Sequence, residues 1–396
     1  MQDISQRAYS IADLREIAQR RLPKGLYEFV DRGTEDEVAL RRNRAVFERI
    51  KLKPRTLIDV SGRSQGITLF GRELKMPIAI APTGSAGLMW HEGEIALARA
   101  AAAAGIPFTL ATGSMTAMER IVEEAGGRLW FQLYMWPDRS LSHKLVERAK
   151  AAGYEALVVT VDSAVPANRE YNRRNGYTVP FTFMRRNVAD VLMHPRWLFG
   201  VLTRYVLTTG MPRYENYPSE LKNKITGRPM GTSMTKNDSL NWEDLRVLRK
   251  LWPHTLMVKG ILTPEDAVLA ADCGADGVIV SNHGGRNLDS SLAPIEVLPE
   301  VVNAVGKRIT VIVDSGFRRG SDVVKALALG AKAVLIGRPT LYGTAAAGEA
   351  GATRAIAIFR DEIDRVLALI GCRSIAELNP DSVAMPHTLF APPAPS

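Results

Sequence analysis

Eight short, unbroken apolar runs, each followed by a helical pattern, constrain this chain more than any other feature of it. The runs fall at 77–81, 107–111, 129–133, 156–161, 255–258, 277–281, 309–313 and 333–336. Strands buried on both faces read this way, whereas half-exposed strands alternate. Helical patterns follow near 91–104, 115–125, 139–152, 242–251, 264–273, 295–305 and 320–329, with a last one near 347–370. Strand then helix, eight times over, predicts an α/β fold: a closed (β/α)8 TIM barrel. The competing doubly wound sheet carries a glycine-rich phosphate turn after its first strand. Here that turn is Pro82-Thr83-Gly84-Ser85-Ala86-Gly87, which lacks the G-x-G-x-x-G spacing.

The 396 residues are therefore expected to form one domain, although length alone suggests two or three. Residues 1–76 read as an N-terminal helical cap, in which Ser10 and Asp13 look like an N-cap and a first-turn acid. About eighty residues, 162–241, separate the fourth strand from the next helix. A connection that long is functional or disordered, and its basic and apolar composition argues against disorder. Cys273 and Cys372 lie outside any C-x-x-C, so no disulfide or zinc site is expected and a reducing compartment fits. The chain start has no apolar signal core. No run reaches the roughly 18 apolar residues of a spanning helix.

In a barrel of this kind the reactive groups sit at the C-terminal ends of the strands. Reading onward from each strand gives Pro82, Thr83 and Gly84; Thr112; Gln132 and Tyr134; Thr160, Asp162 and, further on, Arg169; Lys259; Ser281, His283 and Arg286; Asp314, Ser315, Gly316 and Arg318; Gly337 and Arg338. The last two rims suit a phosphate, because glycine allows close backbone approach and arginine supplies charged donors. A pair of solvated arginines at loop ends is the plainer alternative. His283 follows a buried strand, precedes Gly-Gly and has Arg286 three residues on. An imidazole that titrates near neutrality suits proton abstraction. An adjacent arginine can hold a carboxylate with its two-pronged fork. Asp162 is a candidate to orient the ring, as an acid does in a catalytic triad. Together they suggest chemistry alpha to a carboxylate. No metal site is expected.

The run Ser281-Asn282-His283-Gly284-Gly285-Arg286-Asn287-Leu288-Asp289 resembles the signature of the FMN-dependent L-2-hydroxy acid oxidase/dehydrogenase family. The resemblance extends over nearly the whole chain, through LPKGLYEFV at 22–30, GTEDE at 33–37, FQLY at 131–134, VKG at 258–260, DSGFRRGSDVVKALALGA at 314–331 and IGRP at 336–339. It is nearest to the membrane-associated (S)-mandelate dehydrogenase and L-lactate dehydrogenase branch, through HPRW at 194–197 and the DSGFRRG run. It implies FMN as cofactor and oxidation of an (S)-2-hydroxy acid to the 2-oxo acid. By the resemblance His283 is the base, paired with Asp162. Arg169 and Arg286 bind the substrate carboxylate, and Tyr134 bonds near the substrate hydroxyl. Lys259 stabilises charge at the N1/O2 edge of the flavin. Pro82, Thr83, Gly84, Thr112, Gln132, Thr160 and Ser281 belong to the flavin-ring and ribityl contacts. Asp314, Ser315, Gly316, Arg318, Gly337 and Arg338 belong to the phosphate end. The resemblance also implies a membrane quinone as electron acceptor and a homotetramer.

One position departs from the family pattern. Relatives commonly have a carboxylate-binding tyrosine where this chain has Phe29, while Tyr27 matches the earlier tyrosine. The exchange removes one hydrogen bond to the carboxylate or favours a bulkier, aromatic substrate. Gly84 resembles the residue of the dehydrogenases; the oxidases often carry alanine there.

The formal charge is +9, and residues 171–213 alone contain seven arginines, no lysine and one aspartate. Within the expected insertion 171–240, Val191, Leu192, Leu198, Phe199, Leu202 and Val206 fall near one helical face, with Pro195 splitting the segment. Apolar side chains flanked by Arg185, Arg186, Arg196 and Arg204 suit an interfacial anchor on the cytoplasmic side of the inner membrane. A helix packed on the barrel, or an oligomer contact, is the alternative and leaves the protein cytoplasmic. Two rival functions are an oxygen-using oxidase producing hydrogen peroxide and a non-catalytic basic protein of the membrane surface. Nucleic acid is not an expected partner, since no basic motif is interleaved with aromatics.

Overall fold

The computed structural model describes residues 3–177, 184–218, 221–222 and 238–385. Parts of the expected insertion, 178–183, 219–220 and 223–237, lie outside the described residues. Eight parallel strands close into a barrel: β1 (Ile78–Ile80), β2 (Phe108–Ala111), β3 (Leu129–Leu133), β4 (Ala156–Thr160), β5 (Thr255–Ile261), β6 (Gly277–Val280), β7 (Thr310–Val313) and β8 (Ala333–Ile336). β8 pairs with β1 through Val334–Ile78, Leu335–Ala79 and Ile336–Ile80, which completes the ring. Each strand lies within the predicted run or extends it by at most three residues.

The continuous apolar runs resolve into two faces. Ala79, Trp130, Ala156, Val158, Met257, Ile279, Ile312, Ala333 and Leu335 form one buried cluster, closed below by Leu69 and Leu74 of a short hairpin (Ile67–Leu69 with Arg72–Leu74). Their neighbours, among them Phe131, Leu157, Val258, Val278 and Val311, belong to the larger cluster shared with the outer helices. Alternate residues of a strand point to opposite faces, so a strand needed on both faces must be apolar throughout.

The expected helical cap, 1–76, is helical only up to Arg49, in α1 (Ile11–Arg21), α2 (Lys24–Asp31) and α3 (Val38–Arg49), whereas 50–76 holds loops and short strands, the Ile67–Leu69 hairpin among them. A capping box between Ser10 and Asp13 opens α1. In the long connection after β4, α4 (Arg185–Leu192) ends before Pro195, where a second helical run, α5 (195–208), begins. A π-helical turn, Leu198–Thr203, lies inside α5. Pro195 thus splits the segment as expected. The proposed apolar face needs correction. Trp197, Val201 and Tyr205 are the buried side chains of α5, and Val191, Leu198 and Leu202 are half-buried beside them. Leu192, Phe199 and Val206, at 64%, 66% and 52% exposure, lie on the outer side. Two neighbouring stripes, one packed inward and one turned outward, share the segment.

The last helix also differs from expectation. Helical structure starts at once after β8 and runs from Arg338 to Leu369, broken at Ala347 (φ −155°) and Gly348 (φ +60°). The two arms cross so closely that a Cβ on Gly351 would lie 1.9 Å from Gly343 O. Neither glycine can carry a side chain without parting the arms. Gly351→Ala is expected to cost about 1–3 kcal/mol by overpacking, read as a lower thermal unfolding midpoint. An unchanged midpoint would contradict the close crossing.

Candidate active site

The inner face that buries the apolar cluster continues upward and turns polar one step beyond it. Two residues past each inner apolar side chain stand Ala81, Gln132, Thr160, Lys259, Ser281, Asp314 and Gly337, and two further on Thr83, Tyr134, Asp162 and His283. Ala81, Thr83, Gln132, Tyr134, Thr160, Lys259, His283, Asp314 and Gly337 line one pocket with Pro82, Gly84, Arg169, Arg286, Ser315, Gly316, Arg318, Arg338 and Phe29. Period-two geometry and barrel closure thus bring together groups that lie far apart in sequence.

His283 is held from three sides. Its Nδ1 lies 2.9 Å from Asp162 Oδ1, its Nε2 lies 3.4 Å from Tyr134 Oη, and its backbone N–H donates to Ser281 Oγ at 3.1 Å. Its φ of +57° is a left-handed conformation that a non-glycine residue adopts at a cost of order 1–3 kcal/mol. Burial holds the imidazole below its ordinary value of 6.5, while Asp162 pulls it back up. The ring is therefore neutral at pH 7. Burial raises Asp162, but its interactions with His283, the Nδ1 hydrogen bond among them, and the Lys259 charge outweigh it and hold the carboxyl below 3.8. A carboxylate on Nδ1 fixes the proton there and leaves Nε2 as the acceptor. Gly260 is what lets Asp162 approach. Its φ is +109°, and a Cβ there would stand 2.6 Å from the Asp162 Cβ.

Lys259 is a buried cation. Burial lowers its pKa, yet Asp314 and Asp162 prevail and raise it above 10.5. Its Nζ donates to Ser281 Oγ at 2.7 Å and pairs with Asp314 Oδ2 at 3.0 Å. Across the pocket Arg169 Nε donates to Arg286 O, and Arg286 Nη1 donates to the carbonyls of Phe29 and Arg32. The Arg286 guanidinium also lies 5.0 Å from the centre of the Phe29 ring. Burial, followed by the neighbouring Arg169 charge, lowers the Arg286 pKa to about 10. Two crowded cations with donors directed by backbone carbonyls have the chemistry to hold an anion.

The remaining candidates divide by position. Thr112 and Ser281 are buried behind the pocket lining. Thr112 Oγ1 donates to Gln132 O and accepts from the Tyr134 N–H, so it aims those two residues. Gln132 Nε2 donates to Thr160 Oγ1. At the far end Ser315 Oγ accepts from the Gly284 N–H and donates to Asp314 Oδ1. Gly316 (φ +86°) has no room for a Cβ, which would meet Asn43 O at 2.2 Å. Gly337 caps the long helix that starts at Arg338, and a helix N-terminus favours an anion. Arg318 lies over the Tyr342 ring, whereas Arg338 donates to the carbonyls of Val30, Gly284 and Arg32. Sequence reasoning missed Asn43, whose amide exchanges hydrogen bonds with that of Asn282. It also missed Asn287, which bridges Asp162 O and Arg169. Asn287 lies inside the motif, but a mid-helix asparagine such as Asn43 carries no local signal.

Known proteins resemble this chain over nearly its whole length. The family of FMN-dependent dehydrogenases matches residues 18–385. An (S)-mandelate dehydrogenase of Pseudomonas putida is 45% identical over 378 residues, 96% of this chain and 94% of that protein. An L-lactate dehydrogenase of Pseudomonas paraeruginosa is 40% identical over 373 residues, 94% of this chain and 97% of that protein. The crystal structure of a monotopic membrane protein, (S)-mandelate dehydrogenase, matches with a TM-score of 0.90 and 44% identity, covering 96% of this chain and all of that one.

Because Asp162 raises the His283 pKa against the pull of burial, Asp162→Asn is expected to lower that pKa further. Imidazole nitrogen shifts in a pH titration measure it. An unchanged or higher value would contradict the pairing.

Proposed function

Because this chain belongs to the family of FMN-dependent dehydrogenases, we propose that it oxidises an (S)-2-hydroxy acid at the barrel mouth with His283 as the base. It is an FMN-dependent 2-hydroxy acid dehydrogenase of the mandelate and lactate group. The observation that carries the assignment of the base is the neutral imidazole whose Nδ1 is tied to Asp162 and whose Nε2 faces Tyr134 in the pocket.

The pocket residues fit FMN. Thr83 Oγ1 is buried with no partner among the described residues, and Lys259 places a buried cation beneath the same rim. Gly316 and Gly337 bring bare backbone to the other end. In this reading Pro82, Thr83, Gly84, Gln132 and Thr160 hold the ring and ribityl chain. Thr112 and Ser281 act from behind by aiming Gln132, Tyr134, Lys259 and His283. Asp314, Ser315, Gly316, Arg318, Gly337 and Arg338 hold the phosphate end. Bound FMN supplies the two-electron acceptor.

Arg169 and Arg286 fix the carboxylate, which sets the substrate's alpha carbon beside His283. Tyr134 directs the substrate hydroxyl. A proton passes to Nε2, and Asp162 stabilises the imidazolium that results. Lys259, a buried cation at the rim, would balance negative charge on the cofactor side of the pocket. Phe29 presents a ring, with no hydroxyl, beside Arg286 and against the Tyr177 ring at 5.0 Å. This apolar wall supports a bulky or aromatic substrate side chain.

The electron acceptor in this reading is a membrane quinone, reached from a peripheral position on the cytoplasmic face. Exposed Leu192, Met193, Phe199, Val206 and Leu207 beside exposed Arg185, Arg186, Arg196 and Arg204 support that attachment. No helix among the described residues is long and apolar enough to cross a membrane.

His283→Gln is expected to lower kcat by about 10²–10⁴ while the purified protein keeps its flavin absorbance. Near-normal turnover would remove His283 as the base. Phe29→Tyr adds a donor to a charged group, a bond that contributes about 1.5–3 kcal/mol. The KM for small acids such as lactate should then fall at least about tenfold. An unchanged KM would show that Phe29 does not border the carboxylate.

A further inference from the structure

Arg21, the last residue of α1, is an unusual cation. Its guanidinium lies 4.2 Å from the centre of the Trp90 ring, and its buried Nε has no hydrogen-bond partner among the described residues. A buried donor left unsatisfied costs about 1–3 kcal/mol, so an acceptor is missing. The acids nearby are engaged elsewhere. Glu16 pairs with Arg20, Glu28 approaches Lys24, and Asp190 accepts the Lys24 N–H and approaches His194. The helix that faces Arg21 carries a second cation, Arg196. A Cβ built on Gly200 would stand 3.5 Å from Arg21 Nη2, which sets Arg21 against α5 about one turn from the exposed Arg196. Burial and the Arg196 charge both press the Arg21 pKa downward. Neither arginine has an ion pair among the described residues.

An apolar cavity of about 240 Å³ opens along the same seam. Pro23, Leu26 and Leu88 wall it from the body, and Val191, Trp197 and Leu202 from the insertion helices. Pro23 is two residues from Arg21, and Trp197 is next to Arg196. Its packing is incomplete at a place where Phe199 and Leu192 also turn outward. Two unpaired cations beside an apolar cavity match one amphiphile, with an anionic head and a hydrocarbon chain.

We propose that this seam seats one anionic phospholipid, its phosphate between Arg21 and Arg196 and part of an acyl chain in the cavity below. The proposal deepens the membrane reading by naming a discrete lipid site. A nonspecific charged surface would need neither the cavity nor the half-buried Arg21. The bound lipid fills the space between the body and α4–α5 and neutralises two like charges that the fold otherwise brings together.

Trp90 lies under Arg21 and Trp197 lines the cavity, so intrinsic fluorescence reports binding. The flavin-loaded full chain is titrated with monomeric dihexanoylphosphatidylglycerol, and in parallel with inorganic phosphate and dihexanoylphosphatidylcholine. Saturable binding of the phosphatidylglycerol is expected, with phosphate and phosphatidylcholine each at least about tenfold weaker. Arg196→Gln, on the surface, and Arg21→Gln should each weaken it about tenfold or more. Leu202→Trp should do so by filling the cavity, with turnover on a soluble dye unchanged in all three. Equal binding of inorganic phosphate would mean that the cavity takes no part, and equal binding of phosphatidylcholine would mean that the arginine pair takes none. Either result, or wild-type affinity in all three variants, overturns the site. Sedimentation with phosphatidylglycerol vesicles separates the two readings. Wild-type protein that pellets while the variants bind monomeric lipid normally leaves the membrane reading standing without this site. Protein that binds the monomer as expected but does not pellet leaves the site standing without membrane attachment.

Discussion

A closed barrel of eight parallel strands gives each strand one inward position at every second residue, and the rest of this molecule depends on that constraint. Below a certain level the inward positions hold Trp130, Val158, Met257, Ile279 and Ile312, which fill the interior. One step higher the same positions hold Gln132, Thr160, Lys259, Ser281 and Asp314, and there the apolar filling stops. A pocket forms because the interior changes character at one level on most strands. Its charges then have fixed distances, since each sits on hydrogen-bonded β-structure or within a few residues of it. Reactive groups on such a scaffold keep their geometry without reorganisation.

The electrostatics follow from that placement. Lys259 would be difficult to bury alone, but Asp314 at 3.0 Å and Ser281 at 2.7 Å satisfy it. Asp162 stays ionised against its own burial because Lys259 and His283 face it. His283 stays neutral because burial outweighs the attraction of Asp162. Opposed effects thus leave an imidazole that is unprotonated at neutral pH, with Nδ1 already anchored. Arg169 and Arg286 pair with no carboxylate of the protein among the described residues, and their protein acceptors are carbonyls and the Asn287 amide, which leaves their charges uncompensated.

Much of this was legible in the sequence, and the limits are physical. Continuous apolar runs fix the strands well because burial on both faces leaves no room for polar residues. The strand ends then name the pocket, and His283, Lys259, Arg169 and Arg286 all fall where the reading puts them. Side-chain direction is less legible. Thr112 and Ser281 occupy rim positions in sequence but turn their hydroxyls to neighbouring groups behind the pocket. Arg338 directs its donors to three carbonyls that come from α2 and the loop after β6. The final helix begins earlier than its pattern suggests, because a first arm from Arg338 joins the expected one across a kink at Ala347 and Gly348. In the insertion, helical spacing found the apolar residues but not the division between Trp197, Val201 and Tyr205, which pack inward, and Leu192, Phe199 and Val206, which do not. Only the partner surface decides that.

The central claim is that a neutral His283, held by Asp162, takes the substrate's proton. The pH dependence of the second-order rate constant for flavin reduction under anaerobic conditions, with a limiting (S)-2-hydroxy acid such as mandelate, reports the free enzyme and tests it most directly. The pKa of His283 lies below its ordinary 6.5, and only the unprotonated ring accepts a proton. The rate should therefore rise with pH along an acid limb whose midpoint lies below 6.5 and stay level through neutrality. A midpoint above 6.5, or a rate that falls as the pH rises through this range, would contradict the account.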